Sequence, residues 1–354
     1  MTLDDIRRID TGGMYDAVCG FPKQWQDGRA RAVSADFSGI RRDGYRNVVV
    51  VGMGGSAIGG DLLRTLALDE AAMPVVVSRS YRLPAWVGPE TAVIASSYSG
   101  NTEETLAALD EALRRRASVI CITTGGTLHA RASAEGLPCV LMPGGLQPRA
   151  ALGYSLTALL TVAEHMDLLT PNDDAWTEAQ ALLEAQAAAL ADPEAHQNQA
   201  LDIATALQGR LPVVYSSEGL FEGVNLRWRN QNHENSKTHA VGNVFPELNH
   251  NEIMGWARRT DLLSAVGVVV LRDRDDHPRV QHRIDVTRAL LADYAACWME
   301  VHSQGTSKLA RLLSLIYLGD WVSLYLAVLN QVDPTPIRLI SQLKEALADL
   351  ETRS

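Results

Sequence analysis

Cysteine is scarce in this chain, a block of basic residues is missing, and no apolar run is both long and free of charge. Each absence excludes a class of protein. The four cysteines, Cys19, Cys121, Cys139 and Cys297, are scattered through 354 residues. They show neither metal-type spacing nor a disulfide framework, and Cys121 and Cys139 lie in or beside apolar runs. Buried free thiols in a reducing cytoplasm are expected. The net charge is −10, with no Lys/Arg cluster to release counterions from phosphates, so nucleic acid is not the expected partner. The most apolar stretch, 312–329, is broken by Asp320 and carries polar residues at helical spacing. That pattern predicts a buried helix, not a membrane span. The opening run Met1-Thr2-Leu3-Asp4-Asp5-Ile6-Arg7-Arg8 is not of the secretory kind, and low-complexity segments are missing too. What remains is an ordinary globular composition, 46% hydrophobic and 21% charged, long enough for two domains with a core each.

What is present is more specific. Gly52-Met53-Gly54-Gly55-Ser56-Ala57 follows the apolar run 47–51, and Ser96-Ser97-Tyr98-Ser99-Gly100-Asn101-Thr102-Glu103-Glu104-Thr105 follows the run 91–95. Each run reads as a buried parallel strand, and each loop leads into a helix-periodic stretch. Both loops therefore belong at the carboxyl ends of strands and the amino ends of helices. There an open α/β sheet binds ligands, and free N–H groups with the helix dipole favour an anion. The backbone of Gly54 and Gly55 and the hydroxyls of Ser56, Ser97, Ser99 and Thr102 supply donors. The implied ligand is a monophosphate on something small and polar, such as a sugar.

Around these loops the pattern is strand, loop, helix, repeatedly. After a polar, helical stretch over 1–45, strands are expected at 47–51, 74–78, 91–95, 118–122 and 138–142, with helices notably at 59–68 and 102–116. This is a doubly wound parallel sheet of about five strands. Helices at 150–165 and 176–192 flank a boundary at Pro171-Asn172-Asp173-Asp174. A second α/β unit starts at 211–217, where a strand again runs into a serine loop and a helix. Further strands are expected at 239–244, 264–271 and 295–302. Helices at 305–330 and 336–352 close the chain. The second unit echoes the first, which suggests a degenerate tandem repeat divided into domains 1–170 and 171–354.

The first loop also fits the G-x-G-x-x-A dinucleotide fingerprint. That reading needs an acid at the end of the next strand, where the chain has Val77-Ser78-Arg79-Ser80. Arg79 could meet a 2′-phosphate, but the second, hydroxyl-rich loop has no place in a dinucleotide site.

The run 52–61, the run Ser97 to Thr105 and their spacing resemble a sugar isomerase (SIS) domain. Pro148-Arg149-Ala150-Ala151, Asn232-His233-Glu234-Asn235-Ser236-Lys237 and Pro246-Glu247-Leu248-Asn249-His250-Asn251-Glu252 narrow the resemblance. With the segment 309–320 and Leu343-Lys344, they are similar to the bifunctional phosphoglucose/phosphomannose isomerases, over roughly 45–347. The resemblance implies two SIS-type domains, flavodoxin-like or Rossmann-like three-layer sandwiches with flanking helices. It implies that Ser56, Ser97, Ser99 and Thr102 hold the substrate phosphate, that Arg149 faces the reacting carbons, and that Glu234 is the base. It further implies that His250 opens the sugar ring, reaching a neighbouring subunit's site in a homodimer, and that Lys344 lines the site. This chain departs from the family pattern on either side of the base, with His233 and Ser236 where Asn and Ala are more usual.

The residue chemistry fits those roles. Moving a proton between C1 and C2 through a cis-enediol takes one carboxylate, and an enediolate is stabilised by a fixed guanidinium. Histidine can protonate a ring oxygen and accept a hydroxyl proton near neutral pH. For each residue a blander role stands beside the catalytic one: Glu234 as a solvated carboxylate paired with Lys237 or Arg229, Arg149 as a structural salt bridge, His250 as a structural histidine. His233, Glu234, His239, His250 and Glu252 are close in sequence but match no metal spacing, so neither metal nor cofactor is expected. The competing function is a non-catalytic sugar-phosphate sensor, which would keep the phosphate hydroxyls but need no base.

Overall fold

The computed structural model describes residues 1–41 and 44–351, the side chains of 348–351 excepted. The chain opens with α1 (Leu3–Ile9), α2 (Met14–Cys19) and α3 (Phe21–Val33). It then alternates β1 (Asn47–Val51), α4 (Gly54–Ala67), β2 (Val75–Ser78), β3 (Thr91–Ser97), α5 (Glu103–Arg114), β4 (Ser118–Thr123), α6 (Gly126–Glu135) and β5 (Cys139–Leu141). Three helices follow: α7 (Leu152–His165), α8 (Asp173–Leu190) and α9 (Gln199–Leu207). A second alternation runs β6 (Leu211–Ser217), α10 (Glu222–Gln231), β7 (Val241–Phe245), β8 (Val266–Arg272), α11 (Pro278–Leu291) and β9 (Cys297–His302). Last come α12 (Lys308–Leu329) and α13 (Arg338–Glu351).

Both sheets are parallel, ordered β2-β1-β3-β4-β5 and β7-β6-β8-β9. In each, the first strand sits between the second and third, so winding reverses between β1 and β3 and again between β6 and β8. The echo suggested by the sequence is thus a repeat of topology. The two faintest strand signals are real, each starting two residues later than expected: the expectation at 239–244 is β7 (Val241–Phe245) and that at 295–302 is β9 (Cys297–His302).

Period-two burial explains the layers. Along β1, Val48 and Val50 join one apolar cluster while Val49 and Val51 join another. Along β8, Val269 and Leu271 face the first of these, and Val268 and Val270 face a third. The shared cluster is the main core, filled between the two sheets by α4, α7, α8, α9, α10 and α12 and by Ile6, Phe21 and Trp25 of the amino-terminal arm. The helix α12 is long and apolar enough to cross a membrane, yet 94% of its most apolar window is buried inside the protein. That is the setting of a core helix. At the boundary signal, Asn172 caps α8 by accepting from the Ala175 amide.

Candidate active site

The two hydroxyl loops meet at the first switch point. Strands β1 and β3 are neighbours, with Val51 opposite Ala95, so the loops after them lie side by side. The Ser56 hydroxyl accepts from the Tyr98 amide at 3.0 Å, joining one loop to the other. The Ser97 and Thr102 hydroxyls are 2.8 Å apart, and Ser97 also accepts from the Gly100 amide at 3.1 Å. Ser99 accepts from the Asn101 amide at 3.3 Å. Thr102 stands at the N-cap of α5 without a side-chain cap bond, so its hydroxyl remains with Ser97. Gly54, Gly55 and Ser56 form the first turn of α4. Two helix amino ends therefore face one hydroxyl cluster, the arrangement that favours a phosphate.

Gly55 links this cluster to Arg149. A Cβ built there would lie 2.9 Å from the Pro148 carbonyl oxygen and 3.0 Å from the Arg149 amide, so only glycine lets the chains approach. Arg149 follows Pro148 in a short 3-10 turn before α7, and its side chain is 2% exposed. Its Nε donates to Asn235 at 2.6 Å, its Nη2 to the carbonyls of Pro334 (2.7 Å) and Thr335 (3.0 Å), and its Nη1 to Glu234 Oε2 at 3.3 Å. Burial pulls the guanidinium below its ordinary pKa and Glu234 opposes the shift. Arginine stays charged regardless. Four of its five N–H groups are thus engaged, leaving one on Nη1 for an incoming oxygen.

Glu234 sits where α10 passes into a π-turn over Asn232–Ser236, a distortion that often marks functional positions. Its carboxylate, 26% exposed, lines a cavity of about 580 Å³ with His233, Lys237, Asp333, Ile337 and Arg338. Its ion-pair partner is Arg149; the Lys237 ammonium goes instead to the carbonyls of Glu234 and Pro334. The turn absorbs both departures from the family pattern. His233 Nε2 bonds the Ala240 backbone at 3.0 Å, and the Ser236 hydroxyl donates back to the Asn232 carbonyl at 2.8 Å.

Of the expected site residues only Glu234 lines this cavity; His250, Lys344, Arg149, Gly54, Gly55, Ser56, Ser97, Ser99 and Thr102 do not. His250 is exposed at the end of the 3-10 turn Glu247–His250. Asn249 donates to Thr287, Asn251 to Glu247, and Glu252 accepts from Tyr215 and Asn243. Those groups tie down the loop that presents His250. Lys344 is exposed on α13, whose first residues, Arg338, Leu339 and Ile340, form one cavity wall. Among the described residues, no group of three His, Cys, Asp or Glu is placed to hold a metal ion. Arg79, the remaining prop of a dinucleotide reading, forms an ion pair with Asp61 on α4.

Sequence reading missed the carbonyls of Pro334 and Thr335, Asn235 as the holder of Arg149, and Asp333. Asp333 accepts from the Thr335 amide at 2.9 Å and from the Thr11 hydroxyl, so the amino-terminal arm braces the turn that holds Arg149. No motif assigns these residues their roles, although Asn235 lies in the family-like segment 232–237. Only the register of the arm and of 333–335 does so, and that is a tertiary fact.

The second switch point, between β6 and β8, is differently furnished. Its serine, Ser217, donates to Asp276, whose other carboxylate oxygen accepts from the Asp273 amide at 3.0 Å. A carboxylate of the chain itself occupies the donors that the first switch point leaves for a ligand.

Residues 196–347 match the family model described as the bacterial phospho-glucose isomerase C-terminal SIS domain. The chain is 43% identical over 340 residues to a bifunctional phosphoglucose/phosphomannose isomerase of Caldicellulosiruptor bescii, covering 96% of this chain and 100% of the relative. It is 36% identical over 337 residues to the protein of the same name from Aquifex aeolicus, covering 94% and 98%. In fold it is similar to a hypothetical protein from Thermus thermophilus, with a TM-score of 0.76, 18% identity, and coverage of 99% and 94%.

Proposed function

This chain belongs to the bifunctional phosphoglucose/phosphomannose isomerase family, and from that membership we propose how its residues carry out the reaction. It is an aldose–ketose isomerase, converting glucose 6-phosphate, mannose 6-phosphate or both to fructose 6-phosphate through a cis-enediol. The observation that carries the mechanism is the buried Arg149 against Glu234 at the edge of the hydroxyl loops. Ser56, Ser97, Ser99 and Thr102, with the amides of Gly54 and Gly55, take the phosphate. Glu234 removes the proton from C2 of the aldose and returns it to C1. The free N–H on Arg149 Nη1 meets the oxygen on which enediolate charge develops. Because four of its donors are fixed by the protein, the guanidinium needs no reorganisation as charge builds.

Glucose and mannose 6-phosphates differ at C2, so one enediol must be protonated on either face. A cavity of about 580 Å³ leaves room for rotation about C2–C3. His250 is the proposed ring-opening group. Its exposure at the end of a tied-down loop favours delivery to a partner's site in a homodimer. Lys344 is proposed to line the same site, on a helix that begins at the cavity wall. The four free thiols favour a reducing, cytoplasmic setting.

The test is formation of fructose 6-phosphate from each aldose phosphate in the presence of a chelator. Turnover of both identifies the bifunctional enzyme, and turnover of one identifies which epimer is accepted. Tight hexose-phosphate binding with no turnover of either would overturn catalysis in favour of a sensor.

A further inference from the structure

Lys237 closes the π-turn three residues after Glu234, with its backbone left-handed (φ 54). Sequence offers it only as a counter-ion for the carboxylate. Its ammonium instead donates to the Glu234 carbonyl and, at 3.1 Å, to the Pro334 carbonyl. The Pro334 carbonyl is also an acceptor for Arg149 Nη2, at 2.7 Å. Two cations from distant segments thus share one backbone oxygen. Arg149 grips the Glu234 carboxylate and Lys237 grips the Glu234 backbone, so the side chain is held at both ends.

The consequence is geometric. A base that shuttles a proton between adjacent carbons must sit within hydrogen-bond reach of both, and displacement of about 1 Å costs about 10²-fold in rate. Inside the π-turn, the Ser236 hydroxyl and the Lys237 amide both donate to the Asn232 carbonyl, which fixes the turn's shape but not its place against the rest of the protein. The tie to Pro334 anchors the turn to a segment outside it, beside the bonds of Asn235 to Ser323 and Arg149. Resting on the assignment of Glu234 as base, we propose that Lys237 is a positioning residue for the isomerisation, anchoring the Glu234 turn to the 333–335 segment. It acts through Glu234 and takes no proton itself.

Charge enters as well as geometry. The groups around Lys237 are Glu234 on its own turn, Arg149 before α7, Asp333 after α12, and the cavity-lining His233 and Arg338. Burial, then Arg149, pull the Lys237 ammonium below the ordinary lysine value, while Asp333 and Glu234 oppose them. The anchor should therefore fail at a lower pH than an ordinary lysine would lose its proton.

The experiment compares Lys237→Gln, Lys237→Arg and Glu234→Gln with the wild type. Each variant is measured for kcat, KM, affinity for inorganic phosphate and melting temperature. Lys237→Gln should lose about 10- to 100-fold in kcat, with KM and phosphate affinity within about 2-fold. Lys237→Arg should recover most of that loss and abolish the alkaline fall in kcat/KM expected of the wild type. A rise in KM at unchanged kcat would overturn the proposal, since Lys237 would then be binding substrate. An alkaline limb unchanged in Lys237→Arg would overturn it too, as would loss of kcat only in step with melting temperature and phosphate affinity. Full activity in Glu234→Gln would instead remove the base assignment, whereas full activity in Lys237→Gln with Glu234→Gln inactive would sink the Lys237 role alone.

Discussion

At the scale of single residues, Glu234 is defined by what holds it. Arg149 binds its carboxylate from a site 2% exposed, Asn235 beside it bonds both Arg149 and Ser323 of α12, and Lys237 binds its carbonyl. Glu234→Gln preserves shape and leaves Arg149 a neutral acceptor while removing the base. Turnover should fall about 10²- to 10⁴-fold with phosphate affinity retained; steady-state kinetics beside phosphate titration check this, and near-normal turnover would reject the mechanism. The four hydroxyls stand out in the sequence because strand-end loops spell them out locally, whereas Glu234 and Arg149 are singled out by the family resemblance alone. Their supports were not legible. Pro334 and Thr335 act through backbone carbonyls 185 and 186 residues from Arg149, and any sequence can supply a carbonyl.

At the scale of elements, strands were easier to read than helices for a physical reason. Parallel strands covered on both faces are runs of valine and isoleucine, as in β1 and β8, and such runs announce themselves. The helix α11 buries only Ile284, Thr287 and Leu291 and carries three arginines, so its apolar stripe is faint. Helix α9 buries Ala200, Ile203, Ala204 and Leu207 at helical spacing but is only nine residues long. The two switch points share a topology and differ in chemistry. At the second, Asp276 sits among the donors of Ser217 and the Asp273 amide, with Asp273 itself nearby. Burial raises its carboxyl above the ordinary aspartate range, although those hydrogen bonds and Arg272 pull the other way. With a native pKa above the unfolded one, its contribution to stability is present in acid and is lost as pH rises through the native value. Asp276→Asn should therefore melt higher than the wild type at pH 7, with the gap closing as pH falls below the ordinary aspartate pKa. A melting-temperature series against pH reads this out, and a gap that widened in acid would refute it.

At the scale of the whole molecule, the two halves share one core, and a buried ion pair inside the second half backs the seam between them. Arg227 of α10 pairs with Asp320 of α12 at 2.7 Å, with 3% and 5% of their side chains exposed, and Gln231 adds a bond to Asp320 at 2.9 Å. Arg227 also donates to the Arg149 carbonyl at 3.0 Å, so this pair is tied across the seam to the backbone of the arginine proposed to face the reacting carbons. Asp320 was visible in the sequence as an interruption of an apolar run and as the end of a family-like segment, but its partner lies 93 residues away. The role proposed for His250, in a neighbouring subunit's site, makes the assembly testable by complementation. Glu234→Gln and His250→Ala chains, co-expressed with different tags, yield hybrid dimers by sequential affinity capture. If His250 acts in trans, the site holding Glu234 receives an intact histidine from the partner, while the other site lacks both groups. The hybrid should then show about half the wild-type activity per dimer, although each parent variant is impaired. If His250 served its own chain, each hybrid site would lack one group and activity would stay at the mean of the two parents. Recovery in the hybrid therefore identifies the shared site, and its absence, or a monomer that is fully active, removes the in-trans role.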